Sequence, residues 1–291
     1  MEFIFTLVTI IMTAATPLLL AALGETVTER SGVLNLGVEG MMVMGAVMGF
    51  AAASLTGNPW LGVVASMLAG AAMALLFGFL TLTLLANQVA TGLALTLLGL
   101  GLSGLIGESF VGQPGLQLPK LVGIDPLVPF ALLLAYFIHH VLFRSKAGLI
   151  MRAVGNNHVS AHALGYNVIA VRYLCVLFGG ACAGLAGGYL SLVYTPQWVE
   201  NMTAGRGWIS LALVVFASWL PIRVALGAYL FGAISILSFV VQALGFGIPS
   251  QFLSSLPYLA TILALVLISG NRTLTRKNTP AVLGQSFVPD R

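Results

Sequence analysis

Asn35 and Glu39 are the residues whose types and spacing most directly suggest chemistry in an apolar setting. Four residues apart, they share one face if the segment is helical. An amide beside a carboxylate can donate and accept hydrogen bonds to a polar solute. A lone carboxylate in an apolar helix costs about 2.5–3.5 kcal/mol at the centre of a bilayer. Two readings stay open at this point. The pair forms the polar wall of a solute pathway, or Glu39 sits near the interface or is satisfied by a neighbouring helix. Gly32, Gly37 and Gly40 suggest a loosened or closely packed start to that helix.

A second constellation lies in the polar stretch 144–172, with Arg144, Lys146, Arg152 and Arg172. Within it Arg152 precedes Gly155, which reads as a turn or helix-boundary residue. Asn156 or Asn157 is suited to N-cap a short helix over 158–164 that carries Ala161 and Leu164. Gly165 is suited to end it. A short helix between two tight turns makes a rigid knob.

Other chemistries are excluded by spacing. There is no G-x-x-x-x-G-K-[ST] phosphate loop, so ATP hydrolysis by that route is absent. Gly101-Leu102-Ser103-Gly104 has the form of an intramembrane protease nucleophile, but His139 and His140 belong at the opposite end of the neighbouring span, out of reach. His158 and His162 lack a third ligand for a metal. Cys175 and Cys182 are about 10 Å apart along one helix, too far to bridge, and read as small packing residues. Gly180, Gly184 and Gly188 make a smooth packing ridge.

The elements that must position these residues are membrane helices. Hydrophobic residues are 59% of the 291 and charged residues 7%, against about 25% in soluble domains, and mean hydropathy is +1.03. The fold class is therefore all-α and polytopic, with about nine spans (8–10) near 3–23, 36–55, 60–85, 90–107, 126–143, 171–191, 207–220, 224–244 and 256–270. The first lacks a basic n-region and a small-x-small cleavage site and reads as a span, not a signal peptide. Residues 1–270 form one transmembrane domain that includes the 144–170 loop, and 271–291 form a polar, loosely ordered tail. Placing 144–172 in the cytoplasm puts ten of twelve Lys/Arg inside, leaving Lys120, Arg206 and the N-terminus outside. The basic balance (pI about 9.3) reflects this loop bias rather than nucleic-acid binding. Thr28-Glu29-Arg30-Ser31-Gly32 and Thr203-Ala204-Gly205-Arg206-Gly207 each precede an apolar helix on opposite sides, which makes an inverted repeat a candidate.

The loop Gly148, Arg152, Ala153, Gly155, Asn157, Ala161, Leu164, Gly165 resembles the coupling segment of permease subunits of bacterial ABC importers for branched-chain amino acids, ribose-type sugars and nucleosides. His158 and Ser160 depart from that pattern. Gly32-Val-Leu-Asn35-Leu-Gly37-Val-Glu39-Gly40 and Gly205-Arg-Gly207-Trp-Ile-Ser-Leu resemble two further elements, and ERSGVLNLGVEGMM looks most like the nucleoside branch. The resemblance implies a non-enzymatic pore subunit for nucleoside uptake in the bacterial plasma membrane, with the loop and C-terminus cytoplasmic. It implies three partners: a second permease subunit, a cytoplasmic ATPase holding ATP and Mg, and an external binding lipoprotein or periplasmic protein. No cofactor is expected in this chain. Arg152, Gly155, Asn157, Ala161, Leu164 and Gly165 would then meet the ATPase. The alternatives are a sibling importer for branched-chain amino acids or ribose-type sugars, and an ion-coupled secondary transporter, which would need more intramembrane ionisable groups than Glu39.

Overall fold

An apolar run inside a bilayer must satisfy its backbone groups internally, and a helix does so. The computed structural model describes residues 2–120, 123–243, 249–269 and 278–288, and no strand occurs among them. The helices are α1 Glu2–Arg30, α2 Val38–Thr56, α3 Pro59–Gly78, α4 Gln88–Gly107, α5 Leu127–Arg144, α6 Lys146–Asn156, α7 His158–Ala163, α8 Val168–Tyr189, α9 Arg206–Phe216, α10 Pro221–Ala243 and α11 Ser250–Ser269. Wider turns extend α3 to Thr83 and α8 to Tyr194, and a tighter one extends α4 to Phe110.

Among the described residues seven helices are long and apolar enough to cross a membrane: α1, α2, α3, α4, α5, α8 and α10. The chain is a multi-pass membrane protein. Two expected boundaries change. The apolar run 207–220 folds as α9, 11 residues and about 16 Å long, half of a bilayer core rather than a span. The first helix continues past 23 to Arg30, so Glu25, Glu29 and Arg30 are helical and buried rather than in a loop. Nothing between Gly24 and Ser31 breaks the helix, and both carboxylates find partners described below. The predicted span 256–270 coincides with α11, 20 residues long.

Most helix starts carry their own caps. The side chains of Asn58, Asn87, Ser145, Asn157 and Asn167 accept from backbone N–H groups of α3, α4, α6, α7 and α8. Helices α2 and α9 differ: their N-caps are Gly37 and Gly205, and neither cap has a side chain to offer.

The small-residue ridge of α8 packs inside the chain. A Cβ on Gly180, Gly184 or Gly188 would collide with Gly70, Ala74 or Ser66 of α3, and Gly45 of α2 meets Gly184 on the other side. α1 and α8 run antiparallel, with Gly24 against Gly179 and Cys182, and Thr28 donating to the Cys175 carbonyl. α3 lies on α8 as α10 lies on α1, and α4 on α2 as α11 on α9. These are the pairings of an inverted repeat relating α1–α4 to α8–α11. Its register differs from the sequence echo: helix starts equate Val38 with Arg206, so Gly37 matches Gly205.

Candidate solute pathway and coupling platform

The two glycine-capped helix starts meet at Glu39. Its Oε1 accepts from the Gly205 N–H at 2.8 Å and from the Thr203 hydroxyl, and its Oε2 accepts from the Gly207 N–H at 2.6 Å. A carboxylate from the first turn of α2 thus caps α9 from 166 residues away, at the end where the helix dipole favours negative charge. Gly207 is small by necessity, because a Cβ there would lie 2.6 Å from the Glu39 backbone nitrogen.

Glu39 is deep. Gly40 packs on Leu95 and Thr96, eight residues or about 12 Å along α4. One turn into α9, the Ser210 hydroxyl reaches the carbonyl of Leu18, near the middle of α1. A charge at such depth costs about 2.5–3.5 kcal/mol. Three hydrogen bonds to a charged acceptor contribute about 1.5–3 kcal/mol each. Paired this way, the carboxylate is stabilised.

The far end of α9 is fastened to α1. Trp219 Nε1 donates to Glu29 Oε2, and Arg30 donates through Nε and Nη2 to the Trp219 carbonyl at 3.2 and 3.0 Å. Ser218 and Trp219 hold left-handed backbone, φ +52° and +55°, which costs a non-glycine residue about 1–2 kcal/mol. The three bonds hold that turn. Both ends of the half-helix are therefore fixed by acidic residues of the α1–α2 hairpin.

The two connections that re-enter the bundle differ in exposure. Residues 31–37 turn back along α1, and Asn35 N donates to Glu25 Oε1 at 3.3 Å while Leu34 N donates to Gln88 Oε1 at 2.8 Å. Asn35 Oδ1 accepts from Gly37 N at 3.0 Å. Ser31, Val33 and Asn35 are fully buried. Residues 195–205 descend from Tyr194 to the level of Glu39, yet Gln197, Glu200, Asn201 and Ala204 are exposed. Glu200 lies beside Gly104, on a face of α4 left bare at Gly101. Arg206 donates to the carbonyls of Met202 and Thr203 and lies 5.5 Å from the Tyr194 ring centre.

At the opposite end of the molecule α6 and α7 form a platform. Arg152 and Arg30 both lie over the Phe143 ring, at 5.2 and 5.5 Å. Asn157 Oδ1 caps α7 on Ser160 N at 2.9 Å, and Gly165 ends it at φ +88°. Ala161 faces inward and is buried, while Leu149, Val159, Leu164 and Tyr166 are exposed, Leu164 by 76%.

Residues 7–270, nearly the whole chain, match the family described as branched-chain amino acid transport system / permease component. The chain belongs to that permease family. The "Putative glucose ABC transporter permease protein TsgC13" of Haloferax volcanii is 41% identical to it over 94% of each chain. The guanosine ABC transporter permease protein NupQ of Bacillus subtilis is 32% identical, covering 93% of this chain and 94% of its own. The nucleoside ABC transporter permease protein NupC of Lactococcus lactis is 32% identical, over 88% and 90%. No solved structure matches. As an ABC transporter permease the chain is a pore-forming component.

In this permease the two expected wall residues do not share a helix face. Asn35 precedes the start of α2, and both it and Glu39 (3% exposed) point inward to partners of the same chain. Of the two readings of Gly155, the helix boundary holds: it lies in the last helical turn of α6, where a Cβ would collide with the Arg30 carbonyl. Ser103 is buried with its hydroxyl on the Leu100 carbonyl at 2.9 Å. No cluster of three metal-ligating side chains occurs among the described residues.

Sequence reasoning missed Glu25 and named Glu29, Arg30 and Arg172 without giving them a role inside the fold; all four are buried. Their i, i+4 acidic spacing on an unbroken helix was the available signal for the first two. It missed Glu200 and Asn201 as well, because a polar loop between spans reads as external wherever it dips.

Proposed function

We propose that the permease lines the solute pathway of an ABC importer with the 197–206 segment, at the height where Glu39 holds α9. The exposure of Glu200, Asn201 and Ala204 carries this reading. Non-helical polar backbone at bilayer depth is tolerated only against protein or water. A second permease subunit, a copy or a paralogue, facing this side would enclose a wet passage. Asn35 and Glu39 serve it indirectly, as struts that place the segment.

The exposed apolar side chains of α6–α7 support docking of a cytoplasmic ATPase on this platform, with Arg152, Asn157, Leu164 and Gly165 towards its surface and the buried Gly155 and Ala161 shaping it from within; on this reading the basic end and the C-terminus are cytoplasmic and the N-terminus is outside. ATP and Mg belong to that partner, since the chain has no phosphate loop. Hydrolysis is assigned to it, and the permease is non-enzymatic. Nucleotide binding would move the platform as a rigid body and switch access. An external binding protein delivers the solute to a plasma-membrane complex.

The solute is a neutral nucleoside, a reading that the guanosine and nucleoside relatives support. The 41% relative named for glucose favours a neutral sugar as the second reading. Both present hydroxyls that the Glu200 carboxylate and Asn201 amide can bond. The test is radiolabelled guanosine uptake in a strain lacking the gene, complemented by it and competed with inosine, glucose, ribose and leucine. Restoration blocked by inosine is expected. Glucose uptake restored in its place would move the solute to sugars, and restoration of leucine uptake alone would sink both readings.

A further inference from the structure

Residues 278–288 are packed against the platform. Val282 N donates to the Gly155 carbonyl and Gly284 N to the Gly32 carbonyl, both at 3.1 Å. Arg172, 1% exposed, donates through Nη1 to the Gln285 carbonyl at 3.0 Å and through Nε to the Ser31 carbonyl at 3.3 Å. Its Nη2 lies 3.2 Å from His158 Nδ1. Arginine has no acceptor, so that imidazole nitrogen accepts and the proton sits on Nε2. Phe287 is buried among Val154, Ala161 and Val168, its ring centre 5.1 Å from that of His158 and 5.4 Å from that of His162.

One short segment thus touches the end of α6, α7, the base of α8 and the α1–α2 turn. α7 has six residues, far below the length at which a helix holds its own shape in water. Its inner face carries little besides Ala161. Phe287 is the large apolar group that fixes its attitude, while Gly284 and Arg172 tie the same segment to Gly32 and Ser31. From there the chain runs through Asn35 to Glu39, whose hydrogen bonds carry the link on to α9.

We propose that the C-terminal segment 278–288 is a positioning strap that makes α7 and the α1–α2 turn move as one body, so that motion at the ATPase reaches the pathway segment. The proposal rests on the docking of an ATPase on α6–α7. The strap itself is not a solute contact, and its buried aromatic packs under α7 against His158 and His162.

The test uses the assembled complex of permease pair, cognate ATPase and binding protein in vesicles, with Phe287→Ala, Phe287→Leu and a chain ended after Lys277. Solute taken up per ATP hydrolysed should fall about tenfold in Phe287→Ala and in the shortened chain. The ATPase should still co-purify and hydrolyse within about twofold of the parent rate, and Phe287→Leu, which keeps most of the volume, should recover most of the ratio. Hydrogen exchange supplies a readout that general misfolding would not give: amides 158–163 should lose protection while those of α9 keep it. An unchanged uptake-to-hydrolysis ratio in both variants overturns the proposal. So does loss of the ATPase from the variants, which would make the segment part of the dock, or loss of protection in α7 and α9 together. A parent complex that binds no ATPase would count against the docking reading, whereas defects confined to the variants bear on the strap.

Discussion

The connections 31–37 and 195–205 occupy equivalent places in the two halves, one before α2 and one before α9, but they meet different surroundings. In the first, backbone and side chains turn inward: Asn35 answers to Glu25, Leu34 to Gln88, and Ser31 to Arg172. The second leaves Glu200 and Asn201 facing out between two fixed points, Pro196, whose carbonyl accepts from Gly115 N, and the lower end held by Glu39. A broken helix inside a membrane is therefore not in itself a transport element. What separates the two is where the unpaired polarity points.

The largest effect that can break this comparison is at Glu39, where the two breaks touch. Glu39→Ala leaves two N–H groups and a hydroxyl without their acceptor, at about 1–3 kcal/mol each. Melting in detergent should fall by several degrees at least, and uptake should vanish. Wild-type melting with normal uptake would remove Glu39 as the strut. Next comes the buried break. Asn35→Ala should cost about 1–3 kcal/mol of stability, read as a lower melting temperature, with uptake per folded molecule and solute preference retained. A changed preference at constant stability would instead put Asn35 in the pathway.

The exposed break should behave oppositely. Glu200→Gln and Asn201→Gly, glycine being free to keep the positive φ of +57° at that position, should leave stability within about 0.5 kcal/mol and lower uptake about tenfold, the worth of one hydrogen bond of about 1.4 kcal/mol. Uptake indistinguishable from the parent would dissolve the contrast. The smallest effect is at the platform. Partial burial and the facing Arg172 guanidinium hold the His158 pKa below its ordinary 6.5. Neutral His158 accepts from Arg172, so this contact is intact above about 6.5 and its contribution is lost as the pH falls below that value through the depressed one. Corrected for the slower intrinsic exchange at low pH, the protection of amides 158–163 should fall from about pH 7.5 to about pH 5.5 in the parent and stay level in His158→Asn. An equal loss of protection in both would clear His158.

The all-helical, multi-span architecture, a cap at Asn156 or Asn157 and the Gly165 stop were readable from the sequence because each depends on local chemistry: apolar run length, a side-chain acceptor, a residue free to adopt positive φ. The end of α1 was not, because Glu25, Glu29 and Arg30 look like loop until their distant partners Asn35 and Trp219 are known. The length of α9 was hidden for the same reason. Its composition is that of a span, and only the Glu39 carboxylate 166 residues away sets where it starts. Gly155 was singled out as a turn or helix-boundary residue, and it does sit at the boundary of α6, but the neighbouring Arg30 carbonyl is what demands glycine there. The segment 278–288 was legible as polar; that a single phenylalanine would anchor it was not.

The dependence of α9 on the first hairpin has a consequence for how the protein is made. Glu29 and Glu39 leave the ribosome long before Thr203 and Trp219, which lie 164 and 190 residues later along their respective bonds. Throughout that interval two acidic groups meant for the protein interior wait without those partners. The hairpin must then stay near the interface or within a polar insertion channel until the later segment arrives, so correct integration of this chain is completed late in its synthesis.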